Sequence, residues 1–302
     1  MFGLWIGGPM SDSATPPTLR TAQQRANSTG GAELSAMTPR NKHMMPEALT
    51  EVELQSFETQ GYILRRGVFS SEEVEQLNAV IDLLAAAVVA RSHEGHEYHI
   101  DGRRFVDLND QTLQFEPAPL EQALRVLEPA HPLSSALLTL LKDVRLVRPM
   151  RQLTGCEHVS LWTDKINFKR PGGSEFGWHQ DAPYWMHDAA HLTQLPNVMV
   201  TLDDVGPGSG GFRVVQGSHQ AGIHAARNDG SQLEGFYTHD DEVDFSQVVE
   251  FNEPAGSAIF FDPFLIHGSA HNQSGKRRRA LIATYQPANL PTLKTKRVVN
   301  LG

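Results

Sequence analysis

The spacing of apolar residues along this chain changes once, near residue 157, and the expected structure changes with it. Before that point apolar positions recur three and four apart, the period of a helix with one buried face. LTEVELQSFETQGY (49–62) carries Thr50 followed by Glu53, a capped helix start, and Gly61 marks the helix end. YILRRGVF (62–69) predicts a strand. Ser70 with Glu73 repeats the capping signature at the head of SSEEVEQLNAVIDLLAAAVVARS (70–92), a second helix with a wide apolar stripe. Residues 118–143 read as helix in two pieces, broken at Pro129 and Pro132. The stretch 47–150 is therefore expected to be mostly helical.

Beyond residue 157 the apolar runs are short and β-rich: HVSLWTDKINFKRP, LPNVMVTLDDV, GFRVVQGSH, GSAIFFDPFLIHGSA and RRRALIATYQPA, punctuated by Gly, Pro, Asn and Asp. Many short strands divided in this way predict a sandwich or barrel. The expected fold class is mainly β with flanking α-helices, as one domain over 47–302 with its β core at 157–290. Residues 1–46 are rich in Ser, Thr, Ala and Gly and poor in large apolar groups, which predicts a disordered tail. A transit peptide, given Arg20, Arg25 and Arg40, and an early start codon are the alternatives.

Composition narrows the function by exclusion. The chain has 26 basic and 35 acidic residues, a formal charge of −9, which argues against a nucleic-acid partner. Its one cysteine, Cys156, permits no intramolecular disulfide and fits a reducing, cytoplasmic setting. No apolar run approaches the ~20 residues of a membrane helix. A small-molecule substrate, with neither nucleic acid nor membrane as partner, is the expectation.

Candidate chemistry begins at FGWHQDAPYW (176–185), where His179 and Asp181 stand two apart. On a strand both would point to one face. Downstream, His267 follows an apolar run and precedes Gly268, as at the end of a buried strand. Two imidazoles and one carboxylate on one face of a metal leave open positions and suit non-haem Fe(II). With 14 histidines in the chain, an H-x-D pair alone is weak; the third ligand strengthens it. In KRRRALIATY, strand alternation puts Arg278 on a face with Ala280, Ile282 and Thr284, which a barrel interior would tolerate. A buried guanidinium needs an anion and matches a carboxylate. A solvated edge strand is the other account of the same residues.

WHQD, GGFRVVQGSH, FFDPFLIHGSAHN and RRAL, in that order and separation, resemble the phytanoyl-CoA dioxygenase family of Fe(II)/2-oxoglutarate oxygenases. The resemblance covers roughly residues 48–290, with ELQSFETQGYILRRGVFSSEEVEQL similar to the family's start. It implies a double-stranded β-helix (jelly-roll) core, Fe(II) as cofactor, and 2-oxoglutarate and O2 as co-substrates. It implies His179, Asp181 and His267 as iron ligands, Arg278 as the partner of 2-oxoglutarate, and Ser269 and Asn167 as further co-substrate contacts. Lys165 is left outside the site. Because Asp181 is a carboxylate where related halogenases have a small residue, hydroxylation is expected over halogenation.

Other residues read as structural. His219 is expected to fix a turn, and His187, His191, His224 and His239 to lie in loops as non-ligands. GPGSGG (206–211) lacks the phosphate-loop Lys and reads as a turn. HDDEVD (239–244) reads as a solvated loop. Tyr184 and Trp185 either wall the substrate pocket or simply pack. Loops at 92–117, 183–196 and 222–248 are expected to decide the substrate. The rival functions are a metal- or metabolite-binding sensor and a cupin-like enzyme that needs no 2-oxoglutarate.

Overall fold

Both capping boxes form. The computed structural model describes residues 47–302, and the tail expected at 1–46 lies outside the described residues. Helix α1 (Glu51–Gln60) starts with Thr50 and Glu53 exchanging side-chain and backbone bonds, and ends on Gly61 at φ 85°. Helix α2 (Ser71–Ala90) starts the same way on Ser70 and Glu73. Between them lies strand β1 (Tyr62–Arg65).

The stretch expected to be helix or loop is largely sheet. Residues 96–128 form β2 (His96–Ile100), β3 (Arg103–Leu108), β4 (Gln111–Phe115) and β5 (Leu124–Glu128), a meander of antiparallel pairs. Only the second half of 118–143 keeps a helix, α3 (Ser135–Leu141), followed by α4 (Val144–Thr154). The expectation of mostly helical structure over 47–150, and of a loop at 92–117, is corrected accordingly. The first connection in the meander is the two-residue turn Asp101-Gly102 at φ 48° and 72°, where Gly and Asp tolerate the left-handed region best.

From residue 159 the strands are β6 (Val159–Lys169), β7 (Phe176–His179), β8 (Asn197–Thr201), β9 (Phe212–Val215), β10 (Val248–Glu250), β11 (Ala258–Phe261), β12 (His267–Ser269) and β13 (Arg278–Pro287). They complete two antiparallel sheets, one ordered β1-β11-β8-β13-β6-β5-β4-β3-β2 and the other β10-β9-β12-β7. This is the jelly-roll architecture. β13 lies between β8 and β6, so KRRR leads into a central strand and not a solvated edge.

Burial on both faces of β13 fixes the layers. Leu281, Ala283 and Tyr285 pack into the larger apolar cluster with Ile81 and Ala85 of α2, Leu141 of α3 and Leu146 of α4. Ala280 and Ile282 face the other way, into a smaller cluster with Met199, Phe212, Val214 and Phe261 between the sheets. Helices therefore close one face of the large sheet, and the small sheet closes the other. Each large apolar side chain buried this way contributes about 1.5–3 kcal/mol.

Asp164 ties the meander to this core. It is fully buried, and its carboxylate accepts from Ala130 N (3.0 Å), His131 N (2.8 Å) and His131 Nδ1 (2.6 Å), just beyond β5. Asp164→Ala would strand these donors in the interior. The substitution is expected to cost about 3 kcal/mol or more, read as a lower urea midpoint at unchanged m-value. A midpoint equal to wild type would contradict that role.

Candidate active site

The chain leaves the sheet immediately after its first candidate ligand. β7 ends at His179, and Asp181 sits one turn later at the head of the short helix α5 (Ala182–Trp185), in αR geometry. The two are therefore not neighbours on one strand face, as H-x-D alone suggests. A turn brings the carboxylate round, fixed by Asp181 N and Ala182 N both donating to Pro263 O (3.0 and 2.9 Å). His267 likewise starts a strand of its own. β11 ends at Phe261 in the large sheet, a turn pinned by Phe264 N donating to Asp262 Oδ1 (2.8 Å) crosses between sheets, and β12 begins.

β12 pairs with β7 so that His267 stands opposite His179, ring centroids 4.2 Å apart. One ligand atom each from His179, Asp181 and His267 lies within 4.8 Å of the others, the only such cluster of three or more among the described residues. Each imidazole bonds through Nδ1 to the carbonyl two residues before it: His179 to Gly177 O (2.7 Å) and His267 to Leu265 O (2.9 Å). A carbonyl only accepts, so Nδ1 carries the proton and Nε2 presents its lone pair. Asp181 Oδ2 accepts from Asn197 Nδ2 (3.0 Å), and Asn197 Oδ1 accepts from Thr284 Oγ1 (2.6 Å).

Electrostatics favour the ligand forms. Burial, then the neighbouring His267, holds the His179 imidazolium down to about 3, and burial also lowers His267. Both rings are neutral at pH 7. Burial alone would raise the Asp181 carboxyl, but Lys165 first, with the Asn197 amide helping, outweighs it and holds it below its usual range. Two neutral imidazole nitrogens with one carboxylate fit a divalent iron that keeps open positions.

The interior face of β6 continues the site. Lys165, Asn167 and Lys169 follow one another at two-residue spacing, and across the ladder Asn167 stands opposite Ala280 and Lys169 opposite Arg278. Arg278 is 2 % exposed. Its Nη2 donates to Gly210 O, its Nε has no hydrogen-bond partner, and no carboxylate lies within ion-pair distance among the described residues. Burial pushes its guanidinium down to about 10, with Asp203 opposing, so it stays charged at neutral pH. Asn167 Oδ1 is likewise buried without a partner. Ser269 Oγ accepts from Lys169 Nζ (2.7 Å), which leaves the hydroxyl proton free to donate elsewhere. A charged, forked donor with unfilled valence beside orphaned polar atoms is a cradle for a carboxylate.

Two neighbours, Asn197 and Lys169, escaped the sequence reading, and that reading leaves Lys165 outside the site. Lys165 Nζ lies 4.0 Å from Asp181 Oδ1, so the structure puts it beside the candidate metal site. Asn197 orients the carboxylate, and Lys169 is buried next to Arg278. The two-residue spacing from Asn167 was the available signal for both lysines. Of the aromatic pair, Tyr184 stands beside His179 (centroids 6.0 Å), whereas Trp185 packs against Trp162 in the core. The loop 222–248 contributes Phe236, stacked on Tyr184 (4.5 Å), and Tyr237, 6.5 Å from His179. His219 fixes a turn through its bond to Glu58 O (3.1 Å). His187 and His239 are exposed, while His191 and His224 are half-buried in hydrogen bonds to Gln286 and to Glu242 and Ser218.

Comparison with known proteins places the chain in a family. The sequence model described as phytanoyl-CoA dioxygenase (PhyH) matches residues 57–280. An L-proline trans-4-hydroxylase of Streptomyces griseoviridis is 30% identical over 181 residues, 54% of this chain and 67% of the relative. A probable alpha-ketoglutarate-dependent hypophosphite dioxygenase of Stutzerimonas stutzeri is 25% identical over 236 residues, 76% of each chain. An ectoine dioxygenase of Bordetella parapertussis is 28% identical over 256 residues, 79% of this chain and 76% of the relative. Among solved structures, EctD from S. alaskensis with bound Fe superposes with a TM-score of 0.63 at 23% identity, covering 83% of this chain and 82% of that one. With the family match spanning most of its length, the chain belongs to the phytanoyl-CoA dioxygenase family.

Proposed function

We propose that His179, Asp181 and His267 hold Fe(II), and that Arg278, with Asn167 and Ser269 beside it, receives the distal carboxylate of 2-oxoglutarate. The chain is an Fe(II)- and 2-oxoglutarate-dependent dioxygenase acting on a small molecule. The observation that carries the residue assignment is the buried, carboxylate-free Arg278 on the same interior surface as the His-Asp-His cluster. A cupin-like enzyme that needs no 2-oxoglutarate has no use for that guanidinium.

Iron with 2-oxoglutarate supplies the oxidising power when bound: O2 and the oxo acid yield succinate and CO2, and one oxygen atom reaches a substrate C–H bond. The chain's residues do the rest. The Nδ1 bonds to Gly177 and Leu265 hold the imidazoles in the ligand tautomer, and Asn197 holds the carboxylate. With iron bound, Asp181 would take the position that a halogenase leaves for chloride, which favours hydroxylation over halogenation. Phe212 and Phe261, with centroids 5.6 and 4.9 Å from His267, keep water from that side.

The opposite side sets the substrate. Tyr184, Phe236 and Tyr237 wall the space beside His179, and Arg103 Nη1 reaches the Tyr237 hydroxyl at 3.4 Å. Arg103 is half-buried, with no carboxylate within ion-pair distance among the described residues. A small substrate bearing a carboxylate or similar anion fits this wall. Relatives named as an L-proline hydroxylase, an ectoine dioxygenase and a methylphosphonate hydroxylase are compatible with this class.

Three outcomes are expected. Asp181→Ala abolishes O2-dependent succinate release coupled to product; near-native product formation would remove Asp181 from the ligand set. Asn197→Ala weakens Fe(II) binding roughly 10–100-fold in an anaerobic metal titration, and an unchanged affinity would deny its orienting role. Arg103→Leu raises the KM for an anionic substrate found by succinate screening, with 2-oxoglutarate affinity unchanged. Equal KM values, or a substrate set without anions, would reject the anionic class.

A further inference from the structure

Lys169 is the one buried lysine of the interior row, 1 % exposed at the end of β6. Its Nζ donates to Ser269 Oγ (2.7 Å) and to Ala270 O, joining the large sheet to the small one. Across the β6–β13 ladder it stands opposite Arg278. Gly210, at φ 78°, leaves room for it: a Cβ there would come within 3.1 Å of Nζ. No carboxylate lies within ion-pair distance of Lys169 among the described residues.

The groups facing Lys169 are mostly cationic. Arg278 comes from β13, Arg125 from β5 and Arg213 from β9. The aromatic ring of Phe176 on β7 lies 5.4 Å from Nζ. Glu116, just after β4, is the acidic group acting most strongly on the lysine among the described residues, and it is already committed to Ser174 N (3.1 Å), Ser174 Oγ (2.5 Å) and Arg125 Nη1 (3.4 Å). Arg125 is further engaged with Glu175 O (2.8 Å) and the Phe176 ring (3.9 Å). Lys169 and Arg278 are thus a pair of buried like charges with no counter-ion of their own. Such an arrangement is costly until an anion arrives or a proton leaves.

We propose that Lys169 is the second cation of the co-substrate pocket, and that it takes up a proton as the distal carboxylate of 2-oxoglutarate enters beside Arg278. This rests on the assignment of Arg278 to that carboxylate. In the ligand-free pocket, burial first and then Arg278 and Arg125 hold the Lys169 ammonium down to about 6, so at neutral pH the amine is mostly uncharged. An incoming carboxylate reverses the balance and favours the ammonium. The sign follows from linkage. Binding consumes a proton between the free and the bound value, so affinity is highest near pH 6 and falls as pH rises. The limiting slope is about tenfold per pH unit for one proton. Arg278 keeps its charge over this range, and His179 is already neutral. Lys169 is therefore a positioning residue that makes co-substrate affinity pH-dependent and holds Ser269 in place.

The test uses the Fe(II)-loaded full chain without oxygen, titrated with 2-oxoglutarate. The visible charge-transfer band reports binding at a series of pH values between about 6.5 and 8.5. Calorimetry in two buffers of different ionisation heat measures proton uptake. Wild type is expected to take up close to one proton and to lose affinity by up to about tenfold per pH unit. Lys169→Met is expected to flatten the slope, binding at least about tenfold more weakly than wild type at the acid end and converging with it at the alkaline end. Zero proton uptake by wild type, which needs no variant to fold, would overturn the proposal, as would a Lys169→Met protein that keeps the wild-type slope. Arg278→Leu separates the two levels. If it binds 2-oxoglutarate as tightly as wild type, the assignment of Arg278 falls, whereas a flat pH profile with a weakened Arg278→Leu removes Lys169 alone.

Discussion

The site depends on one antiparallel pairing, that of β7 with β12, which sets His179 opposite His267. Both imidazoles then use the same device, an Nδ1 bond to the carbonyl two residues back, to fix tautomer and direction. The backbone supplies both acceptors, so the two candidate ligands are oriented by the fold itself and not by mobile side chains. Asp181 is added from a turn, where its own N–H and that of Ala182 share Pro263 O. Asn197 and Thr284 then link this carboxylate to β8 and β13 of the large sheet. The candidate metal site is a junction of the two sheets.

Charge burial is the second constraint. A jelly-roll interior ordinarily holds apolar side chains, and the cluster around Met199, Phe212 and Ile282 does so here. Farther along the same surface the chain buries Lys169 and Arg278, neither within ion-pair distance of a carboxylate among the described residues. Arg279, next in sequence, shows the contrasting solution on the opposite face. It is as deeply buried but pairs with Asp203 and Asp82, both at 2.8 Å. Adjacent arginines on one strand thus separate into a structural ion pair and a buried guanidinium proposed to meet the co-substrate, and the difference lies in which face already holds acids.

Much of this was legible in the sequence. Order and spacing of WHQD and the HGS at 267–269 pointed to His179, Asp181 and His267 as candidate ligands, and strand alternation placed Arg278 on the inward face. The β2–β5 meander is masked in the sequence by strands that mix charged and apolar residues, as in HEYHI and RRFVDL. Asp101-Gly102 is a strong short-range hairpin signal, and the positive φ at both residues confirms its force. Lys165 and Lys169 were harder to place. β6 is buried on both faces, so alternation groups its residues into two sets without saying which set faces the cavity. Asp164 and Ile166 on one set meet the core, and only tertiary pairing with Asp181 and Ser269 reveals the other. The turn that carries Asp181 was invisible for the same reason: it is held by Pro263, more than eighty residues away in sequence.

The most direct measurement is an anaerobic crystal structure with Fe(II) and 2-oxoglutarate, with anomalous scattering collected at the iron edge. A single iron peak bonded to Nε2 of His179, Nε2 of His267 and one oxygen of Asp181, with the distal carboxylate of 2-oxoglutarate on Arg278, is the predicted result. Iron bound elsewhere, or 2-oxoglutarate chelated to iron with Arg278 left unpaired, would contradict it.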